Sequence, residues 1–182
     1  MSAAANNVLT SLELLPTVFA YQDGLPRDFL PFTKLQLHKL WLRQNWEQWD
    51  PALLHALRDA DDALRNWFKR YSVHRLPRLL ASVPSMRIIV PLWVVYTGRL
   101  DLASILHKQF PTLMDESTAL LHVAAAGGSS EMVQFLVECQ YYRGSHFADT
   151  MRLAREYRHK DVATLVESYF ANFKVPDAFL AW

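Results

Sequence analysis

Apolar residues recur at helical spacing through most of the chain, and the pattern is most regular from Pro84 onward. Aliphatic and small side chains return every three or four positions, in short runs that glycine, proline and polar residues separate. The pattern predicts an all-α protein. The six helices expected in this half of the chain cover residues 86–97, 101–110, 117–127, 131–140, 147–157 and 160–173.

The clearest pair of helices lies within residues 118–137. Gly127 and Gly128 are expected to end the first helix, because glycine accepts the left-handed conformation that helix ends often need. Ser129 or Ser130 then caps the second helix with a hydroxyl that accepts a backbone N–H. A pair this small cannot bury its own apolar face and therefore needs neighbouring copies.

Copies of this pair recur every 30 residues. Residues 128–136 align without gaps with residues 98–106 and 158–166. Each copy has an acidic fourth position, followed by apolar residues that fit the buried side of a helix. The acidic residues are Asp101, Glu131 and Asp161. A fixed period with matched helix starts predicts about three adjoining helix pairs.

The middle copy resembles the ankyrin repeat. Its Leu-His-Val-Ala-Ala-Ala-Gly-Gly run from Leu121 to Gly128 is similar to the family's Leu-His-x-Ala-Ala and glycine pattern. The Glu-Met-Val that begins at Glu131 is similar to the family's Glu-Val-Val. His122 falls on the histidine of the pattern, where the imidazole usually tethers neighbouring backbone groups.

The flanking copies depart from this pattern. Leu92 and Arg152 stand at the histidine position, and Arg158 replaces the glycine. The family period is about 33 residues, so the shorter period here indicates a reduced β-turn finger between repeats. The resemblance covers residues 86–171 and implies an ankyrin-like solenoid whose concave surface holds another protein and catalyses nothing.

The chain is expected to divide at Pro84, with an N-terminal helical segment over residues 1–83 and the repeats over 84–182. The helices predicted in the first part cover residues 8–19, 34–49 and 51–68, with Thr33 and Asp50 as caps of the second and third. Residues 72–80 are either a decayed copy of the repeat or an ordinary helix end.

Two further segments are expected to lack regular helices. Pro26 and Pro31 predict a loop over residues 21–31. Residues 175–182 end in apolar side chains, so they are expected to pack back on the repeats as a C-terminal cap.

Composition narrows the class of protein. A chain of 182 residues with 51% hydrophobic and 20% charged residues is typical of a globular domain with a sizeable core. A formal net charge of +1 favours no nucleic-acid partner. Cys139 is the single cysteine, which excludes a disulfide framework and a thiolate metal site. The start lacks a basic signal-peptide region, and the longest apolar run, 88–96, is too short to span a bilayer. An intracellular protein of the cytoplasm or nucleus, monomeric and without cofactors, is expected.

Motifs that carry chemistry are missing from the sequence. The seven histidines show no metal-ligand spacing, and there is no phosphate loop, dinucleotide fingerprint or nucleophile elbow. Cys139 ends an apolar helix and is not expected to be reactive. The chain is therefore predicted not to be an enzyme. Five of the six tryptophans are expected in the core, namely Trp41, Trp46, Trp49, Trp67 and Trp93.

A protein partner is expected to contact the inner helix faces and the turns of the repeats. Seven exposed positions that depart from the repeat consensus are the candidates: Tyr96, Arg99, Ala126, Ser129, Glu156, Tyr157 and His159. The mixed charges between Arg152 and Asp161 are interpreted as a solvated face, with a basic contact strip as the alternative.

Three other interpretations stay open. Residues 15–30 are similar to part of an F-box, which would make the protein an ankyrin adaptor; the alternative is a helix that covers the end of the repeats. A helical enzyme or ligand-binding domain would need a site assembled from distant helices. The chain is also compatible with being a fragment of a longer array.

Overall fold

The computed structural model describes residues 21–22, 25–35, 52–117, 119–142 and 147–172. This part of the chain is almost entirely helical, with one pair of two-residue strands. The prediction of an all-α protein is confirmed.

The elements follow one another with short connections. Strands β1 and β2 are Tyr21–Gln22 and Leu25–Pro26, and the helices are α1 Leu30–Thr33, α2 Ala52–Arg70, α3 Leu76–Ser82, α4 Met86–Tyr96, α5 Leu100–Gln109, α6 Pro111–Asp115, α7 Leu120–Gly127, α8 Ser130–Glu138, α9 Phe147–Glu156 and α10 Lys160–Asn172. Single 3₁₀ turns, Arg27–Phe29 and Val73–Arg75, precede α1 and α3.

The helix pairs α4–α5, α7–α8 and α9–α10 follow the predicted period. Their second helices begin at Leu100, Ser130 and Lys160, so the helix starts recur every 30 residues. Helix α7 packs against α4 and α9, while α8 packs against α5 and α10. The first helices of the pairs therefore form one layer and the second helices another.

Helices α4 and α7 of the first layer are strongly apolar, because both are covered on several sides. Every residue of α4 from Ile89 to Val95 is buried, as is every residue of α7 from Leu120 to Ala126. Alanines at 124, 125 and 154 let these backbones approach closely. Helix α9 of the same layer instead exposes Arg152, Arg155 and Glu156. The second-layer helix α8 exposes Glu131, Gln134 and Glu138, so both helices are amphipathic.

Helix α2 packs against α4 through aromatic side chains. Trp93 is 0% exposed and Trp67 is 4% exposed, so both lie in the core as predicted. The ring of Phe68 stacks on Trp93 with centroids 5.5 Å apart and planes 3° from parallel. The indole of Trp93 donates a 2.9 Å hydrogen bond to Asp61 Oδ1, which satisfies its buried N–H.

Some predicted bounds were wrong. The loop expected over residues 21–31 contains β1, β2, a 3₁₀ turn and the start of α1, because proline is tolerated in the first turn of a helix. Thr33 ends α1 instead of capping a later helix. Helix α7 starts at Leu120, three residues later than predicted, since the unpredicted helix α6 occupies the approach to it.

Several predictions fall outside the described residues. They are the helix over 8–19, all of the helix over 34–49 beyond Leu35, the tryptophans Trp41, Trp46 and Trp49, the cap at Asp50 with the helix start at Pro51, the C-terminal cap over 175–182, and the F-box-like stretch before Tyr21.

Candidate functional site

The turns that join the two helices of each pair share one backbone geometry. A residue just past the end of each first helix adopts the left-handed conformation, with φ of 66° at Gly98, 79° at Gly128 and 66° at Arg158. Gly128 directly follows α7, whereas Gly98 and Arg158 lie two residues beyond the ends of α4 and α9. In the outer two copies, the next N–H bonds back to the helix: Arg99 N donates to Val94 O at 3.1 Å and His159 N to Ala154 O at 2.7 Å. This bonding is the Schellman motif, which ends a helix and reverses the chain.

Each turn also packs on the next one. A Cβ placed on Gly98 would lie 3.2 Å from Cβ and Oγ of Ser129, one repeat further along. Gly128 makes the equivalent approach to the ring of His159, and Gly127 lies against the backbone carbonyl of Tyr96. Residues 96–99, 126–129 and 156–159 therefore form one continuous edge, named the turn row below.

Arg58 of α2 joins the turn row. Its Nε donates a 2.9 Å hydrogen bond to the phenol oxygen of Tyr96, 38 residues away. This hydrogen bond raises the pKa of Arg58, and Tyr157 contributes in the same direction. The predicted candidate Tyr96 thus contacts an arginine that sequence reasoning missed, and Tyr157 lies within electrostatic range of the same arginine. Nothing local in the sequence marks Arg58, which is one charged residue among several on α2.

Arg99 is half-buried and held in place by two neighbours. Its Nη2 lies 2.9 Å from Asp101 Oδ2, and its guanidinium is 6.0 Å from the centre of the Trp93 ring. The hydrogen bond from Arg99 lowers the pKa of Asp101. The acidic fourth position of the first copy therefore fixes the orientation of a candidate contact residue.

Ala126 was predicted to be exposed, and this prediction was wrong. Its side chain is only 5% exposed. The ring of His159 covers this end of α7, with Nε2 lying 3.2 Å from the Ala126 carbonyl oxygen. A partner on the turn row would not reach the methyl group of Ala126.

Ser129 and His159 occupy equivalent positions and both have structural roles. Ser129 is the N-cap of α8, since its hydroxyl accepts a 3.2 Å hydrogen bond from Met132 N–H. This decides between the two predicted caps, Ser129 and Ser130. Both Ser129 and His159 are half-buried against the glycine of the preceding turn, so they link successive turns of the turn row.

The charged cluster on the last pair is largely matched in sign. Arg152 pairs with Asp149 at 3.4 Å and with Glu156 at 3.2 Å, and Arg155 pairs with Glu167 at 3.6 Å. These side chains are about half exposed, where ion pairs contribute little to stability. The interpretation as a solvated face of mixed charge fits this geometry, and it places Glu156 beside a cation.

The residues considered for chemistry have ordinary surroundings. His122 is 7% exposed within α7. Burial raises the pKa of the Cys139 thiol, and Glu138 adds to that effect, so the thiolate is disfavoured at neutral pH. The described residues bring together no group of three or more side chains suited to a metal ion. Within the same residues, no helix has the length and apolar character needed to cross a membrane.

Comparisons with known proteins give no indication of what this chain does. No protein-family model, no curated protein and no solved structure matches this chain.

Proposed function

We propose that this chain is an ankyrin-like repeat module that binds another protein along the turn row and catalyses no reaction. The observation that carries the proposal is the shared turn geometry, repeated at Gly98, Gly128 and Arg158 with each turn packed on the next. Repeats that contact their neighbours in this way build extended surfaces rather than enclosed sites.

The side chains on the turn row are those that protein interfaces favour. Tyr96 and Tyr157 are half-buried aromatic residues, and Arg58 and Arg99 are arginines fixed by neighbouring side chains. Tyrosine and arginine are enriched among the residues that dominate binding energy. Because these groups are already oriented, a partner would lose less side-chain entropy on binding them.

Site-specific photo-crosslinking tests which surface meets the partner. A benzoylphenylalanine would replace Tyr96 or Tyr157 in the full chain, and Gln134 on the exposed side of α8 would serve as the control position. Illumination in extract of the source cells should give one adduct of defined mass from both tyrosine positions and not from the control. Equal adducts from Gln134 would contradict the assignment of the turn row.

A substitution set then tests the contact energy. Arg58→Ala/Tyr96→Ala/Tyr157→Ala should reduce capture of the crosslinked protein by about tenfold or more, since each residue is a candidate hot spot. The matched control, Lys108→Ala/Gln134→Ala/Glu138→Ala, changes exposed residues of the second layer and should leave capture unchanged. Circular dichroism melting of both variants separates lost contacts from lost folding. Unchanged capture by the Arg58→Ala/Tyr96→Ala/Tyr157→Ala variant would contradict the proposal.

A further inference from the structure

Charge is strongly segregated along this chain, although the total is close to neutral. Residues 63–100 contain seven lysines and arginines and no aspartate or glutamate. The remaining residues carry the other twelve basic and all eighteen acidic side chains. The formal net charge of +1 therefore conceals a segment of +7 beside a remainder of −6. Four of the seven cations form ion pairs with acidic residues outside the segment, and they are Arg65, Arg75, Arg87 and Arg99.

The exposed part of this segment is concentrated where α2 turns into α3. Four side chains within residues 69–78 are exposed and basic or potentially basic, and they are Lys69, Arg70, His74 and Arg78. These four residues, with Tyr71 between them, are called the basic turn below. The guanidinium groups of Arg70 and Arg75 lie 5.6 Å and 5.0 Å from the centre of the Tyr71 ring. Cations from both sides of the connection between α2 and α3 therefore converge on one aromatic ring.

Helix electrostatics explain only half of this arrangement. Lys69 and Arg70 lie in the last turn of α2, where the helix dipole favours cations. Arg75 and Arg78 lie at the start of α3, where the dipole favours acidic residues, and the first turn of α3 has none. Arg75 is held there by Asp28, and Arg78 adds an exposed cation to the same turn.

The structure already contains one carboxylate bound at this turn. Arg75 donates to Asp28 through Nε at 2.8 Å and Nη2 at 2.7 Å, which is the bidentate geometry of arginine and carboxylate. Asp28 lies in the 3₁₀ turn before α1, so an acidic residue from a distant segment is held here by the same class of side chain. The four residues of the basic turn extend this cationic surface outward.

We propose that the basic turn docks an acidic, aspartate- or glutamate-rich segment of a partner protein. The matching charge and the bidentate precedent at Asp28 support this occupant. The basic turn shares no residue with the turn row, and the proposal does not depend on the proposed function.

Two other anionic partners fit the surface less well. Single-stranded nucleic acid needs open aromatic faces for base stacking, but the Tyr71 ring is already surrounded by Arg70, Arg75 and Trp67. A membrane surface needs large apolar side chains to insert, and the exposed apolar residues of α3 are Pro77 and Ala81. A carboxylate-rich peptide requires neither feature.

Fluorescence anisotropy with labelled decaglutamate tests the proposal on the full chain. The probe should bind at low ionic strength and weaken as salt rises, while labelled decaglutamine should not bind. Lys69→Gln/Arg70→Gln/Arg78→Gln should weaken binding by about tenfold or more. The control Lys108→Gln/Arg152→Gln/Arg155→Gln removes the same charge from exposed positions elsewhere and should leave binding within about twofold.

The variant Lys69→Gln/Arg70→Gln leaves α3 untouched and should give an intermediate loss, so the test does not depend on Arg78 being dispensable for folding. Equal effects of the basic-turn and control variants would overturn the proposal. Two further probes are a ten-nucleotide DNA strand and phosphatidylserine vesicles. If either binds the wild type more tightly than decaglutamate does, and binds the basic-turn variant less, the partner is nucleic acid or a membrane and the proposal is overturned.

Discussion

The imidazole ring of His159 lies directly over Gly128, in the space that a side chain at this glycine would occupy. The two residues belong to successive copies of the helix pair, and the same relationship links Gly98 to Ser129 in the copy before. The contact between turns is thus a repeated feature of the chain, and it can be tested by adding one methyl group.

Gly128→Ala should destabilise the protein strongly. The left-handed conformation costs a non-glycine residue about 1–2 kcal/mol, and the new Cβ would also displace the His159 ring. Urea denaturation should therefore show a loss of about 2–4 kcal/mol in the free energy of unfolding. Gly98→Ala has the same backbone problem but a milder 3.2 Å contact, so its loss should be smaller.

A double variant separates the two causes. Gly128→Ala combined with His159→Ala should lose less stability than the sum of the single variants, because the ring no longer opposes the methyl group. Strict additivity would mean that the ring moves aside at no cost and that the contact between turns contributes nothing.

Arg158→Gly should stabilise the protein. Arg158 occupies the left-handed position of the last turn, at φ 66°, where the two earlier copies have glycine. Relief of about 1–2 kcal/mol of backbone strain is partly offset by the greater flexibility of glycine in the unfolded chain, about 0.5–1 kcal/mol. Thermal melting should show a net gain of about 0.5–1 kcal/mol. As a control, Arg152→Gly in the interior of α9 should destabilise by about 1 kcal/mol.

Ser129→Ala should cost about 1 kcal/mol of stability, because it removes the hydroxyl that caps α8. Ser130→Ala lies one residue inside the helix and should change stability by less than about 0.5 kcal/mol. Urea denaturation of both variants distinguishes the cap from its neighbour. The same two variants are useful in the binding experiments. If Ser129→Ala loses both stability and partner capture, the loss of capture is due to lost folding and not to a lost contact.

The features that could be predicted from the sequence are those set by neighbouring residues. Gly128 and Ser129 mark the end of one helix and the start of the next through local backbone preferences, and their spacing recurs in the chain. The second helices of all three pairs were therefore placed within one residue of their observed starts. Helix α6 was missed because its five residues are too few to show a helical period.

Contacts between different helices could not be predicted from local sequence patterns. Arg58 and Tyr96 are 38 residues apart, and no local pattern pairs them. The end of α7 at Ala126 is contacted by His159, which lies 33 residues later in the chain, and no local pattern predicts this contact. The charge segregation of residues 63–100 was visible in the sequence, but the net charge of the whole chain concealed it.

Asp28 fastens the segment before α1 to the end of α2 and the start of α3. It accepts two hydrogen bonds from Arg75 and one of 3.2 Å from the Trp67 indole. Its carboxylate side chain is only 11% exposed. Burial alone would raise the pKa of Asp28, but the hydrogen bonds from Arg75 and Trp67 outweigh that effect, and the pKa is lowered. The folded state therefore favours the ionised carboxylate.

Asp28→Asn should remove a contribution to stability that depends on pH. In the unfolded chain an aspartate has a pKa of about 3.9, and the folded value is lower. The contribution is therefore present above about pH 4 and is lost as pH falls through the folded pKa. At neutral pH, urea denaturation of Asp28→Asn should show a loss of about 1.5–3 kcal/mol, because a charge-assisted pair with Arg75 is removed. The difference from wild type should shrink as the measurement moves into acid. Asp62→Asn, which changes an exposed aspartate of α2, should stay within about 0.5 kcal/mol of wild type throughout. A difference for Asp28→Asn that is constant with pH would show that the carboxylate is held by shape and not by its charge.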